Sequence, residues 1–286
     1  MIGGGASKEL AKRVARKLKA VYIQTETKIF PDGESKITLR KIPKKSVILV
    51  VQSTYPPVDT NLLQALSIIS QVRKISSRTF AIIPYMGYAR QDKQFLSGEV
   101  ITMSVVAKML QSAGAKKVIV VDIHSNTALN HFNIPTENIS AVPELANYFK
   151  KLNLKNPLVV SPDVGGSSRS KKFASLLKTD FIVLKKHRDR KTGRVSIQTT
   201  KADVQGKDLI LVDDIISTGG SIIKAAQFLK KQKCKRVFVA CTHGLLMEGA
   251  EKKIRKAGVS RIISTNTIPG NTSKVDVSGI LAKSVQ

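Results

Sequence analysis

The chain has 286 residues, 42% of them apolar, which accommodates two modest domains with separate cores. Its 48 Lys and Arg against 20 Asp and Glu give a formal charge of +28, so a positive field awaits anionic partners. No apolar run approaches the roughly 18 residues of a membrane span, and Met1 to Ala20 lacks the apolar centre of a secretory leader. Cys234 and Cys241 lack metal-type spacing, so the expectation is a cytoplasmic protein with reduced thiols and no membrane role.

Short β-branched runs alternate with helical patterns along the chain, the signature of parallel sheets flanked by helices. Gly3-Gly4-Gly5-Ala6-Ser7 lacks the Gly-x-Gly-x-x-Gly spacing of a nucleotide loop and reads as a tight turn into a helix, Ser7 to Lys19. Phe30-Pro31-Asp32-Gly33-Glu34, taken alone, is a β-turn. A strand at Val47 to Val51 and a helix at Asn61 to Lys74 precede a strand at Phe80 to Ile83, which leads to Tyr88-Ala89-Arg90-Gln91-Asp92. A helix at Val100 to Ala113 and a strand at Val118 to Val121 lead to Asp122-Ile123-His124. Taken singly, Arg90 is equally a surface ion-pair partner, and a lone His after a strand is more often structural, as His131 and His243 are read.

Near Val142-Pro143-Glu144 a loop rich in Asn, Pro and Ser gives way to a new helix, which divides the chain into domains 1–142 and 143–286. The second half has strands at Leu158 to Val160, Phe181 to Leu184, Leu209 to Val212 and Val237 to Ala240, with Ser161-Pro162-Asp163 following the first of them. Lys185 to Arg194 lies between two β-like runs and resembles a long, mobile hairpin tip; its plainer reading is a solvated basic loop. Polar groups follow several strands at their carboxyl ends, where open α/β sheets bind ligands, so a two-substrate crevice between two domains is expected.

The most informative stretch is 209–221. The apolar run Leu209 to Val212 reaches Asp213 and Asp214, and Thr218, Gly219, Gly220 and Ser221 fall where a helix, Ile222 to Lys233, begins. Backbone N–H groups, hydroxyls and the helix dipole converge there on a place for phosphate. The two carboxylates accept from neighbouring sugar hydroxyls or hold a hydrated divalent cation. The combination points to a phosphorylated ribose. No Gly-x-x-x-x-Gly-Lys-Ser/Thr occurs, which disfavours an ordinary P-loop kinase.

With the Phe30, Arg90, His124, Val160-Ser161-Pro162-Asp163-Val164-Gly165-Gly166, Lys186-His187-Arg188 and Asp213 to Ser221 segments in the family's order, the chain closely resembles the ribose-phosphate pyrophosphokinases over nearly its full length. The resemblance implies an α/β fold of two related phosphoribosyltransferase-like domains, each a mainly parallel sheet flanked by helices. It implies transfer of the β,γ-diphosphoryl group of ATP to the C1 hydroxyl of ribose 5-phosphate, with Mg²⁺ as cofactor. Phe30, Asp32, Gly33, Glu34, Arg90 and Gln91 correspond to ATP-binding residues. Arg188, Asp213, Asp214, Ser217, Thr218, Gly219, Gly220 and Ser221 correspond to the ribose 5-phosphate site. Lys186, Arg188 and His124 correspond to catalytic residues, with Lys185 a one-residue alternative for the lysine.

His124 and Asp163 correspond to the residues that serve the metal. Mg²⁺ prefers oxygen, so His124 contacts the phosphate chain or a metal-bound water more readily than the ion itself. The family's Phe30 loop reaches a neighbouring subunit's ATP site, which implies a homodimer or higher homo-oligomer. Two departures stand out. Ser217 occupies a position where many members have Asp, and Gln94 to Glu99 is short and free of Lys and Arg, so allosteric control by phosphate and ADP is not carried over.

Three other readings compete. A nucleobase phosphoribosyltransferase would share 213–221 but not need the first half, and a non-catalytic regulatory subunit would be expected to lose His124, Asp163, Lys186 or Arg188, all present. Dedicated nucleic-acid binding is disfavoured because the lysines are scattered in sequence, Trp is absent, and no helix-turn-helix, zinc finger or RNP motif occurs.

Overall fold

The computed structural model describes residues 1–40, 42, 46–188, 195–199 and 203–286, of which 185–188 and 195–199 are described in their backbone alone. It divides into two compact units, 1–140 with 277–286, and 141–276.

In the first unit the strands are β1 (Ile2–Gly3), β2 (Ile23–Ile29), β3 (Ser35–Leu39), β4 (Ile48–Val51), β5 (Thr79–Ile83), β6 (Lys117–Val121) and β7 (Thr136–Ile139). They form one sheet in the order β3-β2-β1-β4-β5-β6-β7, parallel except for the β2–β3 hairpin at the edge. The central strands are continuous apolar runs because helices cover both faces. Every residue of β4 is buried, and α1 (Lys8–Lys17), α2 (Val58–Arg73) and α3 (Thr102–Ala113) turn Val14, Ile69 and Leu110 into the core. Each such side chain contributes about 1.5–3 kcal/mol by leaving water.

The second unit repeats this arrangement. After α4 (Val142–Lys150) come β8 (Leu158–Ser161), α5 (Ser167–Leu177), β9 (Phe181–Arg188), β10 (Val195–Thr199), β11 (Asp208–Ile216), α6 (Gly220–Lys231), β12 (Arg236–Gly244), α7 (Ala250–Lys256), β13 (Val259–Thr265) and β14 (Ser273–Val275). The sheet order is β10-β9-β8-β11-β12-β13-β14, again with one antiparallel hairpin, β9–β10, at the edge. Strand for strand this is the first sheet's order. Phe149 of α4 packs edge-on against Phe173 of α5 and Phe238 of β12, with ring centroids 5.5 and 6.3 Å away.

The expected fold class holds for both halves. The expected boundary needs correction at its far end, because the last helix, α8 (Ser278–Lys283), packs on α1, so 277–286 belongs to the first unit rather than to 143–286. A second correction concerns β11, expected to stop at Val212. It continues to Ile216, since β12 offers a pairing partner that far, with Asp213 opposite Cys241 and Ile215 opposite His243.

Candidate active site

In the second unit the strand order reverses between β8 and β11, and at such a switch point the carboxyl ends of adjacent strands leave a crevice. Asp163 follows β8 and Asp213 and Asp214 lie within β11, so the topology alone brings these carboxylates to one end of neighbouring strands.

Below Asp163, the turn into α5 is held by its own polar groups. Asp163 Oδ1 accepts the Gly166 N–H at 3.1 Å, and Ser161 Oγ donates to the Asp163 carbonyl at 2.7 Å. Arg169, one turn into α5, extends its guanidinium over the carboxylate pair, with Nη1 3.4 Å from Asp214 Oδ1 and 3.8 Å from Asp213 Oδ1. Sequence reasoning missed Arg169. Its sole signal was a cation in the first turn of a helix opened by Gly165-Gly166, which looks like surface.

Burial and the adjacent Asp214 carboxylate push Asp213 up to about 8, against the opposing pull of Arg169. Asp213 therefore holds its proton more tightly than an ordinary carboxylic acid. Asp214 donates its backbone N–H to Asp213 Oδ1 at 2.9 Å, which holds the Asp213 side chain against the main chain.

The turn after β11 is anchored from outside, as Leu246 and Met247 donate their N–H groups to Ile216 O and Ser217 O at 3.0 and 3.1 Å. Gly219 adopts φ of +78°, and a Cβ there would lie 2.7 Å from Ile254 Cδ1, so both conformation and space demand glycine. Gly219 is the N-cap of α6, no side chain caps the helix, and its first turn follows directly on Ser217 and Thr218. The helix starts at Gly220, two residues earlier than expected.

The lysine and arginine expected to catalyse lie on β9, not in a tip beginning at 185. Lys186 pairs with Ile197 and Arg188 with Val195. The remaining hairpin residues, 189–194, and the side chains of Lys185, Lys186 and Arg188 lie outside the described residues.

In the first unit, Phe30 to Glu34 forms the tip of the β2–β3 hairpin, the topological counterpart of β9–β10. Phe30 donates its N–H to Glu34 O at 2.8 Å, Gly33 turns the chain at φ of +92°, and Asp32 Oδ1 accepts the Glu34 N–H at 3.1 Å. Lys28 places its ammonium 5.1 Å from the Phe30 ring centroid. Asp32, Gly33 and Glu34 are exposed. Arg90 and Gln91 are likewise exposed, in a turn after β5 that closes through Gln91 N–H to Tyr88 O at 2.8 Å.

His131 Nε2 meets the buried Asp92 carbonyl at 2.7 Å and so ties this turn to the segment after β6, while His243 Nδ1 meets Thr267 Oγ1 at 2.9 Å deep in the second unit. Both histidines are structural, as expected. His124 is exposed, on a stretch held by Asp122 N–H to Ile139 O and Ile123 N–H to Asn138 Oδ1.

Among the described residues no three His, Cys, Asp or Glu side chains gather as a metal-binding cluster. The second unit nevertheless suits a hard cation by its donor set. Asp163, Asp213 and Asp214 offer only carboxylate oxygen, the donor type that a divalent ion such as Mg²⁺ takes.

Family models match both units: residues 1–114 fit the N-terminal domain of ribose phosphate pyrophosphokinase, and residues 139–277 fit the phosphoribosyl transferase domain. The chain is 38% identical to the ribose-phosphate pyrophosphokinase of Methanobrevibacter smithii, over 100% of this chain and 98% of the relative. It belongs to the ribose-phosphate pyrophosphokinase family. A relative of the same description from Sulfurisphaera tokodaii is 35% identical over 100% of this chain and 99% of its own. The solved phosphoribosylpyrophosphate synthetase of Mycobacterium smegmatis superposes with a TM-score of 0.88 at 30% identity, covering 99% of this chain and 96% of that one. The chain is thus an enzyme of this family, with its two-unit α/β architecture.

Proposed function

We propose that the chain transfers the β,γ-diphosphoryl group of ATP to the C1 hydroxyl of ribose 5-phosphate, giving 5-phosphoribosyl 1-diphosphate and AMP. The observation that carries this reading is the β11–α6 turn. Its glycine, forced by backbone and packing, opens a helix whose first N–H groups suit the 5-phosphate, while Asp213 and Asp214 accept from the ribose hydroxyls.

The sugar held there presents its C1 oxygen for in-line attack on the β-phosphorus. The bond from that phosphorus to the α,β-bridging oxygen breaks, AMP departs with the bond's electron pair, and the C1 hydroxyl proton is released. Phe30 offers its ring to adenine, Asp32 and Glu34 accept from the nucleotide, Gly33 permits the turn, and Arg90 and Gln91 hold the nucleotide and its phosphates. Lys186 and Arg188 neutralise charge that develops on the diphosphoryl group and the leaving oxygen. Asp163 would hold Mg²⁺, with His124 near the phosphate chain or a metal-bound water, and the ion would supply neutralisation of phosphate charge.

The exposed Phe30 tip suits a neighbour's ATP site, so the working form is at least a homodimer, acting in the cytoplasm.

A ³¹P NMR time course with ATP, Mg²⁺ and ribose 5-phosphate tests the reading. Resonances of the 1-diphosphate product and AMP are expected; intact ATP with folded protein would favour a regulatory subunit, and ADP an ordinary kinase. Lys186→Ala should lower kcat by about 10²–10³-fold, with ATP affinity nearly unchanged.

A further inference from the structure

Two successive carbonyls at the end of β11 are claimed by one short turn. Ile216 O accepts the Leu246 N–H at 3.0 Å, and Ser217 O accepts the Met247 N–H at 3.1 Å. Pro56-Pro57 is the only cis peptide among the described residues, so the 216–217 and 217–218 peptides are trans. In a planar trans peptide the N–H points away from the C=O. The N–H groups of Ser217 and Thr218 therefore both face away from 246–247. Consecutive N–H groups on one side make a concavity for an anion, and the two carbonyl oxygens, turned to the other side, do not oppose it.

The turn that achieves this is strained. Leu246 has φ of +48° and ψ of +45°, Glu248 has φ of +55° and ψ of +34°, and Gly249 has φ of +69°. Left-handed backbone crowds Cβ against the carbonyl oxygen, so leucine and glutamate seldom adopt it. Burial does not hold the turn in this shape, because Met247, Glu248 and Gly249 are exposed. Its partners do: the two N–H bonds to the end of β11, and the run into α7, where Ala250 and Ile254 are fully buried. Ile254 is also the side chain that a Cβ on Gly219 would strike, so 246–254 meets the β11–α6 turn at three successive places. Strain kept in an exposed turn by contacts with a ligand loop points to a role in that loop.

We propose that the turn 246–249 positions the ribose 5-phosphate loop, its left-handed backbone aiming the Ser217 and Thr218 N–H groups at the 5-phosphate. This rests on the reading of the β11–α6 turn as the ribose 5-phosphate site. The turn acts through Ile216 and Ser217 and not by touching the sugar. Without its two donors, the Ser217 peptide is free to rotate and present its oxygen to the phosphate.

Two substitutions at one exposed position test this. Glycine adopts φ of +55° without strain and proline, fixed near −65°, does not, while Glu248→Gly and Glu248→Pro lose the same carboxylate. Glu248→Pro should show a ribose 5-phosphate KM about 10-fold above that of Glu248→Gly, worth about 1.4 kcal/mol. The ATP KM should stay at the parent level in both, and calorimetric titration with ribose 5-phosphate should give the same ratio. A second pair decides the matter if the proline variant does not fold. Gly249 and Gly206 share φ of +69°, and no atom lies within 4 Å of a Cβ added to either, so alanine strains both alike. Gly206 precedes β11, at the strand's other end. Urea melts should show similar losses for Gly249→Ala and Gly206→Ala, and Gly249→Ala alone should raise the ribose 5-phosphate KM, by about 5-fold. Equal ribose 5-phosphate KM values within the pairs, or equal rises for ATP and ribose 5-phosphate, would overturn the proposal. Failure of the parent itself to form the 1-diphosphate product would overturn the underlying reading of the site, and the proposal with it.

Discussion

The two units have the same strand order and the same edge hairpin, yet their switch points are finished in opposite ways. Between β1 and β4 the crevice position is filled by Gln52, fully buried, whose Oε1 accepts the Ala6 N–H at 3.1 Å and whose Nε2 donates to Asn61 O and Oδ1 at 3.3 and 3.2 Å. A Cβ on Gly4 would come within 2.2 Å of Gln52 Oε1, so the glycine run near the amino terminus serves close packing. Ser53 and Thr54 are satisfied locally as well, through Ser7 Oγ and Tyr85 O. Between β8 and β11 the same topological place holds two carboxylates, a guanidinium and an uncapped helix start. One scaffold is thus finished in two ways, with a buried neutral amide network at the first switch point and a carboxylate pair beside a guanidinium at the second.

The sharpest way to break this contrast is to disable both points. Asp213→Ala with Asp214→Ala should raise the ribose 5-phosphate KM by about 10²-fold or more, since two acceptors worth about 1.5 kcal/mol each are lost, and the melting temperature should not fall. Gln52→Ala should do the reverse. It strands the Ala6 N–H and the Asn61 amide in a buried site, which costs about 2–3 kcal/mol, and both substrate KM values should stay at the parent level. Saturation kinetics beside denaturant unfolding separates the two. A Gln52 variant with altered ribose 5-phosphate saturation would mean that the first switch point also takes part in binding.

A smaller effect sharpens the open site. Arg169→Gln removes the cation that holds the Asp pair and screens it from the sugar phosphate, so the ribose 5-phosphate KM should rise about 10-fold, worth about 1.4 kcal/mol. The ATP KM should not change. Because Arg169 pulls Asp213 down from a position already raised by burial, its loss moves the pair's titration to higher pH, and Arg169→Lys should restore part of it. Identical pH profiles for the parent and Arg169→Gln would remove Arg169 from the site.

How much of this was legible follows from local physics. The β11–α6 turn was readable because an apolar run, two acids, hydroxyls and glycines are adjacent in sequence. The strand's extension through Asp213 to Ile216 was not, because its apolar run appears interrupted while the pairing that continues it comes from β12. β2 and β3 escaped notice because an exposed hairpin needs few apolar residues; Thr25 is buried but Gln24, Glu26 and Lys28 are not. β1, with two residues, gives no period at all. Arg169 and α8 depend on contacts between distant segments, which composition does not encode.

The last test uses pH. Asp213 sits near 8 in the folded, ligand-free protein, with burial the leading cause and Asp214 the next, against the ordinary carboxylate value of 3.8 when unfolded. Between those values the folded chain binds more protons than the unfolded one, so stability from this group is full below pH 4 and is lost as pH rises through about 8. Asp213→Asn abolishes that dependence by replacing a half-buried acid with a neutral amide of the same shape. The linkage amounts to about 1.4 kcal/mol per pKa unit at full burial, and partial solvent access with a guanidinium nearby reduces it to an expected gain of about 1 kcal/mol for the variant at pH 9. At pH 5 the two proteins should unfold alike. Urea melts in chelator at both pH values measure this directly, and a variant less stable than the parent at pH 9 would show that Asp213 is held as a stabilised carboxylate, with Arg169 and not burial in command.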